Sequence, residues 1–239
     1  MTKIRIATWN LQWAKPDSDR GQACEQLLQD LNIDVLCLTE AHEGSADFLG
    51  EHTAVSEANT GYPIQPGRRK VVIASHLPLS NIDQFGTERL PSGRFVSASV
   101  DSDVKLNLVG VCIPWRDAHV NSGRRNREQW EDHLGYLSSL NEMLQHSTDE
   151  VPTIVFGDFN QRISGKYVRT DAHELLTDTF KAFQIPTAQL CDVDGKTAID
   201  HIAIRGNTNI VESGVVSRFD LNNTELSDHF GVWCDVELD

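Results

Sequence analysis

Polar side chains lie at the boundaries of the predicted strands, and they restrict the fold of this 239-residue chain more than any other feature. Asn10, Glu40 and Asp158 come just after strand-like runs, whereas Asp200 and Asp228 come just before such runs. In a mixed sheet, the ends of strands that run one way and the starts of strands that run the other way lie along the same edge. If the strands of the first set run opposite to those of the second set, all five side chains lie together along one edge of the sheets.

Apolar alternation and short apolar runs predict the strands themselves. Short turns separate several of them, including a predicted hairpin loop at residues 101–103, so antiparallel pairing is expected. We predict strands over residues 4–9, 35–39, 71–75, 95–100, 106–113, 153–156, 199–204, 210–218 and 231–238.

Helical spacing of apolar residues predicts three helices, one around residues 24–31, a long one over 124–145 and one around 172–183. Apolar faces on both sides of a sheet need cover, so we predict an α/β fold of two packed, mixed, mainly antiparallel sheets with outer helices. No repeat, low-complexity tract or long linker divides the chain. We therefore expect a single domain over residues 1–239.

Composition and charge exclude several classes of protein. The longest mostly apolar stretch, residues 108–115, is about eight residues long, whereas a membrane-spanning helix needs about 20. No apolar signal segment follows Met1, so we expect a cytoplasmic protein. A net charge of −14 opposes tight, non-specific binding to a polyanion or an anionic membrane, and any nucleic-acid contact must be local or metal-assisted. The spacing of the five cysteines fits neither a zinc site nor a disulfide framework, so we expect reduced core thiols.

The polar residues at the strand boundaries have the chemistry of a hard-cation site. Carboxylate and amide oxygens without nearby cysteine, and with a single histidine, suit Mg²⁺ or Mn²⁺ better than zinc or copper. A divalent cation with one histidine is typical of hydrolases. The set consists of Asn10, Glu40, Asp158, Asn160, Asp200, Asp228 and His229.

Three of these residue types could divide the work of hydrolysis. Asp158 could accept a proton from water while Asn160, two residues further on, donates its amide to an anionic oxygen. His229 could be a base or an electrostatic clamp, and Asp200 is the candidate partner that orients its ring. Taken singly, each residue also fits a structural role: Asp-x-Asn occurs in turns, and a single histidine at a strand start is often a packing residue.

The order of the motifs resembles that of the endonuclease/exonuclease/phosphatase superfamily, which includes the exonuclease III and DNase I-like proteins. The resemblance spans residues 4–234. It rests on Thr8-Trp9-Asn10-Leu11, Leu38-Thr39-Glu40, Gly157-Asp158-Phe159-Asn160, Ile199-Asp200-His201-Ile202 and Ser227-Asp228-His229. It implies a four-layer α/β/β/α sandwich and Mg²⁺-dependent cleavage of a phosphoester by water.

The resemblance also implies a role for each matching position. Glu40 corresponds to the principal metal ligand, with Asn10 and Asp228 completing or supporting the metal site. Asp158 corresponds to the residue that activates the attacking water, and Asn160 to the one that orients the water or the phosphate. His229, held by Asp200, corresponds to the group that stabilises charge on the phosphoryl oxygens. The chain departs from the exonuclease III pattern at Cys112, where a tyrosine is common, and we expect Cys112 to be packed.

Basic residues are clustered, although they are few. Ten of the 21 Lys and Arg residues lie in windows 68–70, 116–127 and 162–169, and the last two windows follow site segments. A basic rim around an acidic metal centre would steer a polyanion to it; the alternative is a solvated basic face. Beside these segments, Trp115, Trp13 and Tyr167 could stack an unpaired base, although core packing is the expected use of Trp13. The candidate substrate-binding residues are Arg94, which could instead brace the sheet, Arg116, Arg162 and Trp115.

Three functions fit these observations. The first is a metal-dependent nuclease or nucleic-acid end-processing phosphodiesterase, with nucleic acid as substrate. The second is a phosphatase or phosphodiesterase on a small ester such as an inositol phosphate, a sphingolipid headgroup or a nucleotide. The third is a non-catalytic binding module, which the complete set of site residues disfavours. We expect a monomer without stable membrane association.

Overall fold

The computed structural model describes residues 2–120, 126–145, 151–165 and 169–238, and these contain two β-sheets and their covering helices. The strands are β1 (Thr2–Asn10), β2 (Val35–His42), β3 (His52–Val55), β4 (Arg68–Ser75), β5 (Leu79–Asp83), β6 (Phe95–Asp101), β7 (Lys105–Cys112), β8 (Thr153–Asp158), β9 (Asp200–Arg205), β10 (Thr208–Val216) and β11 (Gly231–Leu238). The helices are α1 (Asp19–Gln29), α2 (Glu131–Gln145) and α3 (Thr170–Thr179), with a 3₁₀ turn at Asp47–Leu49. In the described part of the chain, no helix is both long and apolar enough to cross a membrane.

The first sheet has the strand order β10-β11-β1-β2-β4-β3, and the second has the order β5-β6-β7-β8-β9. Within each sheet one pair is parallel, β1 with β2 and β7 with β8, and the other pairs are antiparallel. The predicted mixed, mainly antiparallel sheets are therefore confirmed.

Strand alternation builds the layers. On β1, Ile4 and Ile6 face the core between the two sheets, whereas Ala7 and Trp9 face the opposite side, where α1 packs. The helices α2 and α3 cover the outer face of the second sheet, where Leu140 belongs to their shared core. Because strands covered on both faces bury apolar side chains in both directions, the result is the expected four-layer α/β/β/α sandwich.

The boundaries differ from the sequence predictions in a few places. The long helix begins at Glu131 rather than at residue 124, because Trp130 has a left-handed backbone with φ of 71° and donates its N–H to Arg116 O at 2.6 Å. Residues 124 and 125 lie outside the described part of the chain. The third helix covers Thr170–Thr179 rather than 172–183. The strands β3 and β5 were not predicted, since they are short edge strands with mostly exposed residues.

Four of the five cysteines are buried, as expected for core thiols, whereas Cys191 is exposed. Burial raises the pKa of the Cys112 thiol to about 12, so this side chain is packed as a neutral group, as predicted. The expectation of five core thiols is wrong for Cys191, which lies in a loop before β9 rather than in a strand.

Candidate active site

The strand directions bring the predicted site residues to one edge of the sandwich. Asp158, the last residue of β8, lies directly opposite Asp200, the first residue of β9, in an antiparallel register. Asn10 ends β1, which runs parallel to β2 and antiparallel to β11. The segments converge on a pocket of about 210 Å³, the catalytic pocket. Its walls are formed by Asn10, Glu40, Lys70, Arg94, Trp115, Asp158, Asn160, Asp228 and His229.

Asp158 is a buried carboxylate held by two neighbouring asparagines. Its Oδ2 accepts hydrogen bonds from Asn10 Nδ2 at 3.0 Å and from Asn160 Nδ2 at 2.7 Å, and its Oδ1 accepts the Asn160 N–H at 2.8 Å. The preceding Gly157 has φ of 137°, and a Cβ there would lie 2.0 Å from Val111 O, so this turn into the site requires glycine. Burial, followed by the charges of Asp200 and Glu40, raises the pKa of Asp158 to about 7 despite the opposing effect of His229. A carboxyl group with this pKa can bind and release a proton near neutral pH.

His229 and Asp200 form a buried pair. The imidazole Nδ1 lies 2.6 Å from Asp200 Oδ2, and the Asp200 side chain is 1% exposed. Burial alone would lower the pKa of His229, but the carboxylates of Asp200 and Asp158 raise it to about 10. At neutral pH the ring is thus an imidazolium, which donates from Nδ1 to Asp200 and has Nε2–H available for a ligand. Of the two roles considered for His229, the raised pKa favours the electrostatic clamp over the base.

Glu40 forms an ion pair with Lys70, a residue that was not predicted in the site. The Lys70 Nζ lies 2.5 Å from Glu40 Oε1. The two residues belong to neighbouring antiparallel strands, where Thr39 pairs with Val71 and Ala41 pairs with Arg69, so they face each other across the register. Glu40 also has a left-handed backbone with φ of 46°, which is costly for a residue other than glycine or asparagine. Its strained position is held in part by Trp13, whose N–H donates to Glu40 O at 2.7 Å.

The remaining predicted metal ligands differ in their surroundings. Asn10 is buried, and its Oδ1 accepts the Gln12 N–H at 2.9 Å. Asp228 is 60% exposed at the mouth of the catalytic pocket, with Oδ1 at 4.0 Å from His229 Nε2. The Lys196 ammonium donates to the Asp228 carbonyl oxygen, and this hydrogen bond holds the backbone at Asp228.

The donor set fits a hard divalent cation. Asp158, Asp200 and His229 place one ligand atom each within 4.8 Å of one another. A protonated histidine cannot bind a metal, however, so this trio is better described as an acid–histidine cluster than as a complete metal site. Oxygen ligands are available at Glu40 and Asp228 and at Asp200 Oδ1, which is buried and has no hydrogen-bond partner among the described residues. Oxygens alone favour Mg²⁺ or Mn²⁺.

The four predicted substrate-binding residues divide into two groups. Arg94 and Trp115 line the catalytic pocket, and the Arg94 side chain is buried with Nη1 donating to Cys112 O at 3.2 Å. Arg116 and Arg162 are exposed and form no part of its wall. Arg116 instead pairs with the adjacent carboxylate of Asp117 at 3.0 Å.

The predicted basic rim is therefore only partly reproduced. Lys166 and Tyr167, with residues 124 and 125, lie outside the described part of the chain. Two cations line the catalytic pocket: Lys70, from the window 68–70, and Arg94, which lies in none of the three windows. Lys70 could not have been assigned to the site from the sequence, because its place there depends on the antiparallel register between β2 and β4.

Two buried neutral histidines support the loop that follows Asp158. His133 Nδ1 lies 2.7 Å from Pro114 O, and its Nε2 lies 2.8 Å from Gln161 Nε2. His201 Nε2 lies 3.2 Å from Gln161 O. Both rings thus hold Gln161, directly after Asn160. Burial lowers the pKa of each histidine to about 4.

These lowered pKa values predict an acid-sensitive fold. Between pH 6.5 and about 4, the unfolded chain binds protons at His133 and His201 whereas the folded chain does not. Each histidine should therefore lower the free energy of unfolding by about 1.4 kcal/mol per unit of decreasing pH, whereas the raised pKa of Asp158, about 7, acts in the opposite direction over this range. Urea unfolding at a series of pH values measures this slope. His201→Gln should make the slope shallower, and an unchanged slope in this variant would contradict the assignment.

Comparison with known proteins agrees with this arrangement. The family model described as Endonuclease/Exonuclease/phosphatase family matches residues 7–229. A search of curated proteins gave no match.

Solved structures share the fold at low sequence identity. D. rerio TDP2 complexed with single strand DNA product is 16% identical, with 100% of both chains covered and a TM-score of 0.71. An AP endonuclease from Archaeoglobus fulgidus is 18% identical, with 97% of this chain and 98% of that chain covered and a TM-score of 0.70. Sphingomyelinase C from Streptomyces griseocarneus is 14% identical, with 98% of this chain and 99% of that chain covered and a TM-score of 0.66. Because the family model spans nearly the whole chain, the protein belongs to the endonuclease/exonuclease/phosphatase family.

Proposed function

We propose that this member of a family of hydrolytic phosphoesterases is a Mg²⁺- or Mn²⁺-dependent phosphodiesterase that acts on nucleic acid, as a nuclease or as an end-processing enzyme. The observation that carries the proposal is the cluster of His229, its partner Asp200 and the buried Asp158, of which His229 and Asp158 line the catalytic pocket. The match over residues 7–229 supports a single domain. The cytoplasmic location and the monomeric state stay predictions.

Glu40, Asn10 and Asp228 would hold the divalent cation, with Asp200 Oδ1 near the same pocket. When bound, the cation would neutralise the negative charge that builds up on the phosphoryl oxygens. Glu40 has one oxygen paired with Lys70, so the ammonium balances part of the carboxylate charge before a cation binds.

The side chains supply the proton transfer and the charge stabilisation. Asp158 takes a proton from the attacking water, whose oxygen forms a bond to phosphorus as the bond from phosphorus to the leaving oxygen breaks. Asn160 orients the water or a phosphoryl oxygen. The imidazolium of His229 donates from Nε2 to a phosphoryl oxygen, and Asp200 keeps the ring charged and fixed in orientation. The leaving oxygen receives its proton from solvent.

Charge near the pocket favours a nucleic-acid substrate. Arg68, Lys70 and Arg94 line the continuous surface next to the site, although the whole chain carries a charge of −14. Local cations on an acidic protein are suited to a substrate with several phosphates. Two structural neighbours are a TDP2 with a single strand DNA product and an AP endonuclease.

A small phosphoester is the second candidate substrate. It is supported by the net charge of −14, which disfavours long polyanions, and by the shared fold with a sphingomyelinase. The small catalytic pocket, about 210 Å³, would accommodate a single phosphate group.

A substrate panel with a salt series separates the two candidates. Hydrolysis is measured with Mn²⁺ on single- and double-stranded DNA, RNA, an abasic duplex, a phosphotyrosyl end, inositol phosphates and bis-p-nitrophenyl phosphate. If Arg68, Lys70 and Arg94 contact a single strand, the logarithm of affinity should fall with the logarithm of salt concentration with a slope of about −2. Cleavage of the small esters alone, with a much shallower slope, would contradict the nucleic-acid proposal.

Lys70 should oppose metal binding because its ammonium is paired with the proposed metal ligand Glu40. Lys70→Ala is expected to tighten Mn²⁺ binding by roughly 10-fold, since a positive charge a few ångströms from a divalent cation is removed. Glu40→Ala should have the opposite effect and weaken both Mn²⁺ binding and metal activation.

Calorimetric titration with Mn²⁺ measures both variants. The matched control is Lys181→Ala, which removes an exposed ammonium paired with Asp178 on α3 and should leave Mn²⁺ affinity unchanged. Weaker binding in Lys70→Ala, or no change in Glu40→Ala, would remove Glu40 from the metal site.

A further inference from the structure

A second and larger cavity adjoins the catalytic pocket. It has a volume of about 420 Å³, within the range of small-molecule sites, and the two cavities share Glu40, Lys70, Arg94 and Trp115 as wall residues. A ligand whose phosphate lies in the catalytic pocket would therefore have its next chemical group in this second cavity. We call it the aromatic cavity because of its walls.

Three of the chain's eight Trp and Tyr residues line the aromatic cavity. Trp115 is 44% exposed, which is unusual for so large an aromatic side chain, and it stands at the junction of the two cavities. Trp13 was expected to pack in the core, but it is only half-buried, and the cations of Arg68 and Lys70 lie 4.7 Å and 5.0 Å from its ring centroid. The sequence-based assignment of Trp13 to the core is therefore wrong.

The third aromatic wall, Tyr62, is fixed in place by contacts from another loop. Its hydroxyl accepts the N–H of His119 at 3.0 Å. The preceding Gly61 has φ of 78°, and a Cβ there would lie 1.0 Å from Val120 O, so the two segments are in close backbone contact that only glycine permits. The cavity is thus formed before a ligand binds.

The charges of the aromatic cavity favour an anionic ligand. Arg68, Lys70 and Arg94 are cationic, and the two carboxylates of the wall are already paired, Glu40 with Lys70 and Asp117 with Arg116. Arg94 is 2% exposed, and its Nε has no hydrogen-bond partner among the described residues. Arg94 lines both cavities, and a guanidinium in such a wall is suited to an anionic partner such as a phosphate oxygen. Cations in the wall also repel a quaternary ammonium headgroup, which aromatic sites otherwise favour.

We propose that the aromatic cavity binds the nucleobase adjacent to the scissile phosphate, with Trp115 as the stacking surface and Arg94 as a phosphate-binding residue. This inference rests on the proposed function and narrows its substrate class to phosphodiesters whose neighbouring base is unpaired. A base within a duplex would first have to leave its stack, at an energetic cost. Single strands and frayed or overhanging ends are the expected substrates.

Binding of nucleotides that differ only in the base tests the cavity without catalysis. Calorimetry, in EDTA and again with Mn²⁺, compares deoxyadenosine 5′- and 3′-monophosphates with 2-deoxyribose 5-phosphate. At least one of the nucleotides is expected to bind about 10-fold more tightly than the sugar phosphate, as stacking of one base on an aromatic side chain provides. The two nucleotides show on which side of the phosphate the base lies.

Variants of Trp115 test whether the tighter binding of the nucleotide, relative to the sugar phosphate, comes from the aromatic cavity. Trp115→Ala should reduce the advantage of the nucleotide to within about 2-fold, and Trp115→Phe should retain most of it because a ring is preserved. The matched control is Phe85→Ala, which removes another exposed aromatic residue that lines neither cavity. Equal binding of nucleotide and sugar phosphate, an undiminished advantage in Trp115→Ala, or no nucleotide binding at millimolar concentration would overturn the inference.

The nucleotide-binding experiment and the substrate panel test different claims, so one can fail while the other succeeds. Base-dependent binding without hydrolysis of any nucleic acid would retain the aromatic cavity as a nucleotide site and reject the proposed function. Hydrolysis of nucleic acid without base-dependent binding would retain the function and reject the cavity.

Discussion

Asp158→Asn is expected to lower kcat by about 10³-fold while substrate affinity changes by less than about 3-fold. The substitution keeps the shape of the side chain but removes the group that accepts the proton of the attacking water. Binding is preserved because the cations at Lys70 and Arg94 are unchanged. Single-turnover kinetics with Mn²⁺, together with affinity for a labelled single strand, separates the two effects.

Asp158→Asn also changes hydrogen bonds of the side chain, so a control must separate lost structure from lost proton transfer. An amide at this position keeps one acceptor for the Asn160 N–H but meets the amide donors of Asn10 and Asn160. Asp235→Asn is the matched control, because Asp235 is also a buried carboxylate with ion-pair partners, Lys3 and Arg5, far from the site. It should lower stability without changing kcat. A kcat close to that of the unmodified protein in Asp158→Asn would exclude Asp158 as the proton acceptor.

His229→Ala should reduce kcat by about 10²- to 10³-fold, the effect of removing one preorganised donor to a phosphoryl oxygen. The loop should stay in place without the imidazole, since Trp9 Nε1 donates to His229 O at 2.9 Å and Ser227 Oγ donates to Asn10 O at 2.7 Å. Steady-state kinetics and circular dichroism of the purified variant measure activity and folding together.

Two further variants separate the charge of His229 from its shape. His229→Asn retains a donor for Asp200 and should fold like the unmodified protein while staying nearly as inactive as the alanine variant. In Asp200→Asn the carboxylate that raises the pKa of His229 is lost, so that pKa falls from about 10. Activity should then decline at a lower pH on the alkaline side, because the imidazolium loses its proton earlier. If activity declines at the same alkaline pH in Asp200→Asn as in the unmodified protein, Asp200 has no positioning role toward His229.

The fold could be predicted because its main determinants are local. Apolar alternation and short apolar runs in segments such as β1 and β7 identify strands with one or both faces covered, and the polar residues at their ends mark the edge where the chain changes direction. The start of α2 was missed because a left-handed Trp130 and its bond to Arg116 are tertiary features without a local pattern. The edge strands β3 and β5 were missed because little of their surface is buried.

The convergence of the site could be predicted for the same reason, since strand direction alone brings Asn10, Glu40, Asp158, Asp200 and His229 together. The pairing of Glu40 with Lys70 could not, because it depends on the register between two strands that are distant in sequence. Sequence proximity also placed Arg116 and Arg162 at the substrate, whereas neither side chain lines the catalytic pocket.

The central claim is that this pocket hydrolyses phosphodiesters of nucleic acid with the help of a divalent cation. The most direct test is product release from a labelled single-stranded oligonucleotide by the purified protein in Mn²⁺, with EDTA and His229→Ala reactions alongside. The account predicts cleavage that requires Mn²⁺, is abolished by EDTA and falls by at least about 10²-fold in the variant. Cleavage that is equal in the variant, or absent under all metal conditions, would contradict it.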